Sequence, residues 1–308
     1  MKLLRSLDVQ TDTAGGFLSI GNFDGVHRGH RHMLQTLVAQ ARSAGAPSVV
    51  MTFEPHPIAL LAPDRLPPRL TTLEQKAELL EECGVDVLVA YPTDHALLAL
   101  TPDEFFQQVV QERLNVRGLV EGPNFCFGKD RAGDVELLRE LCDTVGLSLT
   151  VIDAVKDDTT LVSSSLIRSA IAEGRLSDAV EMLGHPYQLT GIVESGAGRG
   201  RSLGFSTANL TGLETMLPSN GVYAGRVELD GKSYAAAVHL GPNPTFAEQA
   251  QKLEVHLIDF EGDLYGQPLS VGLIARVRDT MQFAGVEALK SQLNFDLSAV
   301  RDICKTHV

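Results

Sequence analysis

The residues best suited to chemistry lie in the stretch "GNFDGVHRGH", from Gly21 to His30. His27 and His30 stand three residues apart, behind a glycine-bracketed acidic turn and at the start of a predicted helix. This spacing puts both imidazoles on one side of the helix end, where backbone N–H groups and the helix dipole favour a phosphate. Two hydrogen-bond donors there can stabilise charge that develops on phosphorus oxygens. The alternative is that both histidines are surface or helix-capping residues.

A second candidate stretch is "GAGRGRSLGFSTANL", from Gly196 to Leu210. Its glycines, interleaved with two arginines, allow the backbone to approach a polyphosphate closely. Thr207 and Asn209 offer hard oxygen atoms of the kind that magnesium prefers. The alternative for such a glycine- and arginine-rich stretch is a solvated loop.

The stretch "LEVHLIDF" alternates as a β-strand does. Glu254 and His256 share one face of that strand, opposite Val255 and Leu257. A carboxylate in this position is a candidate general base if a substrate hydroxyl comes within hydrogen-bond distance. The alternative is a solvated strand face.

The first half of the chain alternates between strand and helix patterns. Apolar runs such as "SVVMTF", "VDVLVAY" and "LSLTVI" alternate with amphipathic stretches such as "LEQKAELLEECG" and "GDVELLRELCDTVG". This alternation predicts a parallel sheet with helices on its faces, and ligands bind beyond the carboxyl ends of such strands. The stretch from Gly21 begins at one of these ends.

The second half of the chain follows a different pattern. Two short helical patterns lie between Thr160 and Gly184, and strand-like runs follow His185. Asp230-Gly231 between two of those runs predicts a two-residue hairpin. Five or six short strands predict a small antiparallel barrel or sandwich, and the chain ends in an amphipathic helix. The expected domains are 1–158, a helical connector at 159–184, and 185–308.

The composition limits the classes of function. The chain has 308 residues, is 44% hydrophobic and carries a net charge of −13. This acidic balance argues against non-specific binding to nucleic acids or anionic membranes. The amino-terminal residues lack a long apolar segment, so we expect no signal peptide and a cytoplasmic location. The four cysteines have no zinc-site spacing, and we expect them to be reduced.

Several segments, taken together and in order, resemble the bacterial bifunctional riboflavin kinase/FAD synthetase family. They are the histidine stretch, with its H-x-G-H signature of nucleotidyltransferases, "TFEPHP" (Thr52–Pro57), "EGPNFCFGKDRAGD" (Glu121–Asp134) and "SSSLIR" (Ser163–Arg168). The resemblance covers essentially the whole chain. It implies a Rossmann-like nucleotidyltransferase domain with a parallel sheet, followed by a small antiparallel β-barrel domain and a C-terminal helix.

For the first domain, the resemblance implies that the phosphate of FMN attacks the α-phosphorus of ATP and that pyrophosphate leaves. His27 and His30 would hold the phosphates, and Arg168 would neutralise the pyrophosphate side. Asp24 is a positioning residue or an Asx-turn residue, Phe127 contacts flavin or belongs to the core, and the serines before Arg168 bind phosphate or only cap a helix. The implied binding residues are Gly21, Phe23, Asp24, Gly29, His56, Asn124, Phe127 and Ser164.

For the second domain, the resemblance implies that Glu254 activates the ribityl hydroxyl of riboflavin for attack on the γ-phosphate of ATP. Thr207 and Asn209 would hold Mg²⁺. Arg278 would lie on the flavin side, although it is equally a candidate surface charge. The further implied binding residues are Gly198, Arg201 and Gly204.

The implied function is the conversion of riboflavin to FMN and of FMN to FAD with Mg-ATP. The substrates are riboflavin, FMN and ATP, with no nucleic acid and no membrane; the oligomeric state is unknown. Ser206 stands where the family has proline, and His239 stands where asparagine is commoner. One alternative is therefore an FMN adenylyltransferase with a weakened kinase, and another is a non-catalytic flavin-binding regulator.

Overall fold

The computed structural model describes residues 1–6, 10–153, 156–157, 160–195, 204–242 and 252–306. The chain folds into two compact units. Unit 1 contains Met1–Pro67 and Thr71–Val162, and unit 2 contains Pro68–Leu70 and Ser163–Val308. Within the described residues, no helix has both the length and the apolar content that crossing a bilayer requires.

Unit 1 is built on a six-stranded sheet in which every strand pair is parallel. Its strands are β1 Lys2–Leu4, β2 Phe17–Ile20, β3 Ser48–Glu54, β4 Val87–Pro92, β5 Gly118–Glu121 and β6 Ser148–Val151. A short antiparallel pair follows, β7 Lys156–Asp157 and β8 Thr160–Leu161. The predicted parallel sheet is confirmed.

The helices of unit 1 connect these strands. They are α1 Gln10–Thr13, α2 Arg28–Ser43, α3 Pro57–Leu61, α4 Leu73–Glu82, α5 His95–Ala99, α6 Pro102–Phe105 and α7 Val135–Val145. A π-helix continues α6 over Phe106–Arg113, and short 3-10 helices span Pro63–Arg65 and Lys129–Arg131.

Both faces of the sheet are buried. Leucines of α2 and α4, such as Leu34 and Leu80, pack with Val50 and Leu88 on one face. Side chains of α6, the π-helix and α7 pack with the alternate strand residues on the other face. Burial on both sides explains why the strands read as continuous apolar runs.

The strand order β1-β4-β3-β2-β5-β6 reverses direction at β2, which lies between β3 and β5. β2 and β5 pair at Phe17↔Gly118 and Leu18↔Leu119. Nearer the carboxyl end, the N–H of Ile20 instead donates to Oε1 of Glu121 at 2.7 Å. The Glu121 side chain is only 1% exposed, and burial raises its pKa well above the ordinary value, against the opposing effect of the Ile20 hydrogen bond. A crevice at such a reversal is the usual place for a ligand in parallel sheets.

Unit 2 is a closed antiparallel barrel preceded by two helices and followed by one. The helices are α8 Ser164–Ala172, α9 Leu176–Leu183 and α10 Val286–Thr306. The strands are β9 Tyr187–Glu194, β10 Ala208–Thr211, β11 Gly221–Leu229, β12 Lys232–Gly241, β13 Lys252–Leu257 and β14 Pro268–Arg278. Of the two predicted architectures, the structure has the barrel, in the order β10-β13-β12-β11-β14-β9.

The hairpin between β11 and β12 turns at Asp230-Gly231, as predicted. Leu229 pairs with Lys232, so the loop has two residues. Both loop residues have positive φ, 49° at Asp230 and 74° at Gly231, which is the geometry of a type I′ turn.

Helix α10 packs on β11, β12 and β14 through an apolar cluster that includes Ile274, Val300 and Cys304. An ion pair between Arg278 and Asp296 also joins β14 to α10. Nε of Arg278 donates to both carboxylate oxygens of Asp296, at 2.9 and 3.0 Å, and Nη2 donates to Oδ2 at 2.7 Å. Asp296 is 2% exposed, so Arg278 is committed to a buried partner and is not the surface charge considered above.

The buried carboxyl group of Glu121 predicts a pH dependence of stability. The folded state keeps a proton that the unfolded chain releases above its usual pKa of 4.5. The free energy of unfolding should therefore fall as the pH rises from 4.5 through the raised folded-state pKa, by about 1.4 kcal/mol for each unit of difference. Glu121→Gln, whose amide oxygen still accepts from Ile20, should lose this component in urea unfolding over a pH series.

Glu140→Gln is the matched control, because Glu140 lies exposed on α7. It should keep the wild-type slope of unfolding free energy against pH. A wild-type slope in Glu121→Gln would contradict a protonated, buried Glu121.

Candidate functional site

His27 is the N-cap of α2. Its Nδ1 accepts a hydrogen bond from the backbone N–H of His30 at 3.3 Å. A ring nitrogen that accepts carries no hydrogen, so the neutral His27 ring has its hydrogen on Nε2. The ring is 6% exposed and stacks on the His30 ring, with centroids 3.7 Å apart. His27 is thus a capping residue, as one alternative held, and its Nε2–H is a donor of fixed orientation.

His30 lies in the first turn of the helix. Its ring stands between His27 and Phe23, and the Phe23 ring centroid lies 5.0 Å away. Its Nδ1 is buried without a hydrogen-bond partner in the described structure. Burial, then His27, then Lys76 lower the pKa of His30 well below its ordinary value. His30 is therefore neutral near pH 7, and a buried ring nitrogen without a partner is suited to a ligand.

The turn before α2 holds a strained backbone. Phe23 and Val26 have positive φ angles of 47° and 36° and are both buried. Such conformations persist only where the surroundings impose them. Oδ1 of Asp24 accepts from the N–H and the hydroxyl of Thr71, at 3.0 and 3.1 Å, and Thr71 Oγ1 accepts from Gly25 N–H at 3.1 Å. These long-range bonds tie the turn to the residues before α4.

Close packing explains two glycines of this segment, Gly21 and Gly29. A Cβ at Gly29 would lie 3.2 Å from two atoms of the His27 ring, and a Cβ at Gly21 would lie 3.1 Å from the Phe23 ring. Gly29 therefore leaves room for the orientation in which His27 caps the helix.

Lys76 is a buried residue near this turn that its sequence context did not predict as functional. This residue of α4 is 8% exposed, and its Nζ donates to Thr52 Oγ1 at 3.1 Å. Thr52 in turn donates to the carbonyl of Asn22, in the turn, at 3.2 Å. One signal was present: Lys76 follows Leu73 by three residues and precedes Leu80 by four, so it lies on the apolar face of its helix.

Two neighbouring strands end beside β2 at the same edge of the sheet. His56 follows β3 and caps α3, with its Nδ1 accepting from Ile58 N–H at 3.1 Å. Asn124 follows β5 and is exposed. Carboxyl ends of adjacent parallel strands share one edge, so the sheet brings these residues to the side where His27 and His30 lie.

Phe127 lies in the core of unit 1. It is 6% exposed, and its ring centroid is 6.0 Å from that of Phe105 and 5.6 Å from that of Phe125. Phe125 is only half-buried. Of the two rings in this segment, Phe125 is the more accessible to a ligand.

Arg168 and Ser164 belong to unit 2. Ser163 is the N-cap of α8 and accepts from Leu166 N–H at 3.3 Å, and Ser164, the first helical residue, is half-buried. Arg168 is half-buried one turn later, and its Nε donates to the carbonyl of Pro68 at 2.8 Å.

A row of polar residues crosses the outer face of the barrel. Glu254 on β13 lies directly opposite Asn209 on β10 and His239 on β12, and Asn209 lies opposite Glu194 on β9. Directly opposed residues point to the same face. The alternate residues of β13, among them Val255, fill the interior.

Glu254 and His239 are close neighbours in this row. Nδ1 of His239 is 3.8 Å from Oε2 of Glu254. The same Nδ1 is buried and has no hydrogen-bond partner among the described residues. The carboxylate thus faces a polar group across the strand pair, and both side chains are largely buried, at 21% and 22% exposure.

The segment before β10 is held by His256. Nδ1 of His256 lies 2.7 Å from the carbonyl oxygen of Ser206, and its ring meets Phe205 edge-on at 5.9 Å. Gly204 is exposed with φ of 89°. Gly198 and Arg201 lie outside the described residues.

A cavity of about 360 Å³ is lined by Glu194, Asn209, Lys252 and several leucines. Five of its ten lining residues are polar and the other five are leucines, so the cavity offers a ligand both hydrogen-bonding groups and apolar surface. Across the described part of the chain, no three His, Cys, Asp or Glu side chains gather as a metal site. Thr207 and Asn209 present neutral oxygens, with Glu254 opposite Asn209, and this set fits Mg²⁺, which keeps waters and binds substrate phosphates.

Two family models match the chain in succession. FAD synthetase matches residues 9–166, and riboflavin kinase matches residues 183–304. A crystal structure from Streptococcus pneumoniae, titled a macrolide-efflux protein, has the same fold, with a TM-score of 0.86 and 30% identity over 98% of this chain and 99% of that one.

Curated relatives match over nearly their whole length. The bifunctional riboflavin kinase/FMN adenylyltransferase of Escherichia coli (strain K12) is 39% identical over 98% of this chain and 97% of its own. The Bacillus subtilis (strain 168) protein of the same name is 34% identical over 94% and 92%. Because both family models match in this order and two relatives of this name are 39% and 34% identical over nearly their whole length, the chain belongs to the bifunctional riboflavin kinase/FMN adenylyltransferase family.

Proposed function

We propose that this chain phosphorylates riboflavin to FMN and adenylylates FMN to FAD, with ATP as the donor in both steps. The observation that carries the proposal is that each unit contains its own candidate site and matches its own family model. The predicted domains, 1–158, 159–184 and 185–308, remain part of this proposal. A cytoplasmic location is also part of this proposal, and the four free cysteines support it.

For adenylyl transfer, the FMN phosphate attacks the α-phosphorus of ATP and pyrophosphate leaves, without a covalent enzyme intermediate. His27 donates from Nε2 to a phosphate oxygen, since its Nδ1 is occupied by the His30 N–H. His30 hydrogen-bonds as a neutral ring. Hydrogen-bond donors that are already oriented stabilise developing charge with little reorganisation.

Other residues around this chemistry have supporting roles in the proposal. Asp24 positions the turn through Thr71. Gly29 leaves space for His27. Phe127 supports Phe125 from beneath. The proposed contact of Arg168 with ATP phosphates rests on its motif, and the same holds for His56, Asn124 and Ser164 as binding residues.

For phosphorylation, Glu254 takes the proton of the ribityl hydroxyl as the hydroxyl oxygen attacks the γ-phosphorus of ATP; the bond to the bridging β–γ oxygen breaks and ADP leaves. Thr207 and Asn209 would hold Mg²⁺, which neutralises phosphate charge when bound. Arg278 serves this site indirectly, by fixing the end of β14 to α10 through Asp296.

The structure also bears on the alternative of a weakened kinase. The concern is that serine in place of proline at position 206 loosens the backbone beside Thr207. The hydrogen bond from His256 to the Ser206 carbonyl restrains that backbone by another means. The retained base, Glu254, favours turnover over a binding-only regulator.

Product analysis tests the proposal. Purified protein with riboflavin, ATP and magnesium should form FMN and then FAD. FAD formation from supplied FMN, without FMN formation from riboflavin, would identify a dead kinase. A folded sample that forms neither product would overturn the proposal.

The role of His27 can be separated from its capping function with His27→Asn. Asparagine is a preferred N-cap, so the start of α2 should survive, but the Nε2–H donor is lost. We expect the kcat for FAD formation from FMN to fall about 10²-fold, with riboflavin phosphorylation unchanged. His32→Asn removes an exposed histidine of the same helix and should leave both rates unchanged. Wild-type FAD formation by His27→Asn would remove His27 from the mechanism.

The role of Glu254 is tested by Glu254→Gln. The amide keeps the shape of the side chain but cannot take a proton at neutral pH, so riboflavin phosphorylation should fall at least about 10²-fold. Riboflavin binding and FAD formation from FMN should persist. Thr190→Val, on strand β9 of the same barrel, serves as a barrel control. Continued phosphorylation by Glu254→Gln would assign the base elsewhere.

A further inference from the structure

Lys76 is a buried cation that the mechanism above does not use. It lies on the apolar face of α4, between Leu73 and Leu80, and is 8% exposed. Removing an ammonium group from water costs free energy. Buried ionisable groups beside a cleft are therefore candidates for a functional role.

A short chain of hydrogen bonds leads from Lys76 to the turn before α2. Nζ of Lys76 donates to Thr52 Oγ1 at 3.1 Å, and the Thr52 hydroxyl donates to the Asn22 carbonyl at 3.2 Å. Thr52 is completely buried on β3. The ammonium group thus supports the backbone that connects β2 to the two histidines.

The charge of Lys76 also reaches the histidines. It is one of three causes that lower the pKa of His30, after burial and His27. The ammonium group is therefore close enough to influence the charge of the His30 ring, which the proposed mechanism places beside phosphate oxygens. The chain has a net charge of −13, so a local positive charge at that position opposes the repulsion that ATP would otherwise meet.

We propose that Lys76 is a positioning residue for adenylyl transfer: through Thr52 it holds the turn from Gly21 to His27, and its buried charge attracts phosphates toward His27 and His30. This inference rests on the proposed function of unit 1. Lys76 takes no part in bond making and transfers no proton. It acts through the turn and through its electric field.

Three variants test the inference in the full-length protein. Lys76→Met keeps most of the apolar stem and removes the charge. Lys76→Arg keeps a charge. Lys2→Met is the matched control, because it removes a lysine charge from the same unit at a side chain that is 58% exposed. Riboflavin phosphorylation in unit 2 is the internal control for intact protein.

We expect kcat/KM for FAD formation from FMN to fall about tenfold or more in Lys76→Met, because the potential at the phosphates is weaker. Lys76→Arg should restore part of that loss. Lys2→Met and the phosphorylation rate should stay at wild-type values. Wild-type kcat/KM in folded Lys76→Met would overturn the proposal, and so would a loss shared equally by both activities together with a lowered melting temperature.

The titration of His30, followed by NMR of its ring, is a readout that a merely structural lysine would not move. Removing a positive charge favours the protonated ring, so the pKa of His30 should rise in Lys76→Met. It should stay below the ordinary value of 6.5, since burial and His27 remain. An unchanged His30 titration would contradict the electrostatic part of the proposal.

If Lys76→Met fails to fold, Thr52→Val tests the same connection between Lys76 and the turn. Valine has nearly the same shape as threonine, keeps Lys76 and removes the hydroxyl between the ammonium and Asn22. FAD formation should then fall several-fold with phosphorylation intact, and a wild-type rate would overturn the proposal.

If the wild type itself forms no FAD from FMN, the proposed function fails; the His30 titration, with and without added ATP, still reports on Lys76.

Discussion

The hydrogen bond from the His30 backbone N–H to Nδ1 of His27 is the contact on which the first site depends. It caps the start of helix α2 and selects the tautomer of His27, whose ring stacks on the ring of His30. Around it, the turn adopts unfavourable backbone angles at Phe23 and Val26. The structure can hold that strain because Asp24 is tied to Thr71, and because glycine at position 29 lets the His27 ring approach.

Under the proposed function, both units bind a polyphosphate, and their candidate sites are built from different elements. The candidate site of unit 1 lies at the edge of a parallel sheet, where a helix start and two imidazoles meet at the reversal of strand order. The candidate site of unit 2 lies on the outer face of a closed barrel, where the strand register places Asn209, Glu254 and His239 side by side. Unit 1 thus relies on a turn with unusual backbone angles, whereas unit 2 presents its side chains from regular strands.

Much of this architecture is predictable from local sequence. The spacing of His27 and His30 predicts their shared side of a helix end, and Asp230-Gly231 predicts its hairpin. Local patterns do not predict contacts between distant segments. Thr71 meets Asp24 across 47 residues and Glu121 meets Ile20 across 101. Lys76 was not predicted as a buried residue, because a charged residue in an amphipathic helix is ordinarily assigned to the solvent side. Arg278 could be placed at the end of a strand, but its partner Asp296 lies on a helix that only the fold brings close.

The alternation along β13 has a consequence for how this protein can vary. Leu253, Val255 and Leu257 belong to the interior, whereas Glu254 and His256 do not contribute to it. The side chains of the outward set, including His239 on β12, can therefore be replaced without changing the packed interior. Changes at outward residues can therefore alter substrate binding, while changes at inward residues alter thermal stability. In this barrel the two properties can vary independently, because they depend on alternate residues of the same strands.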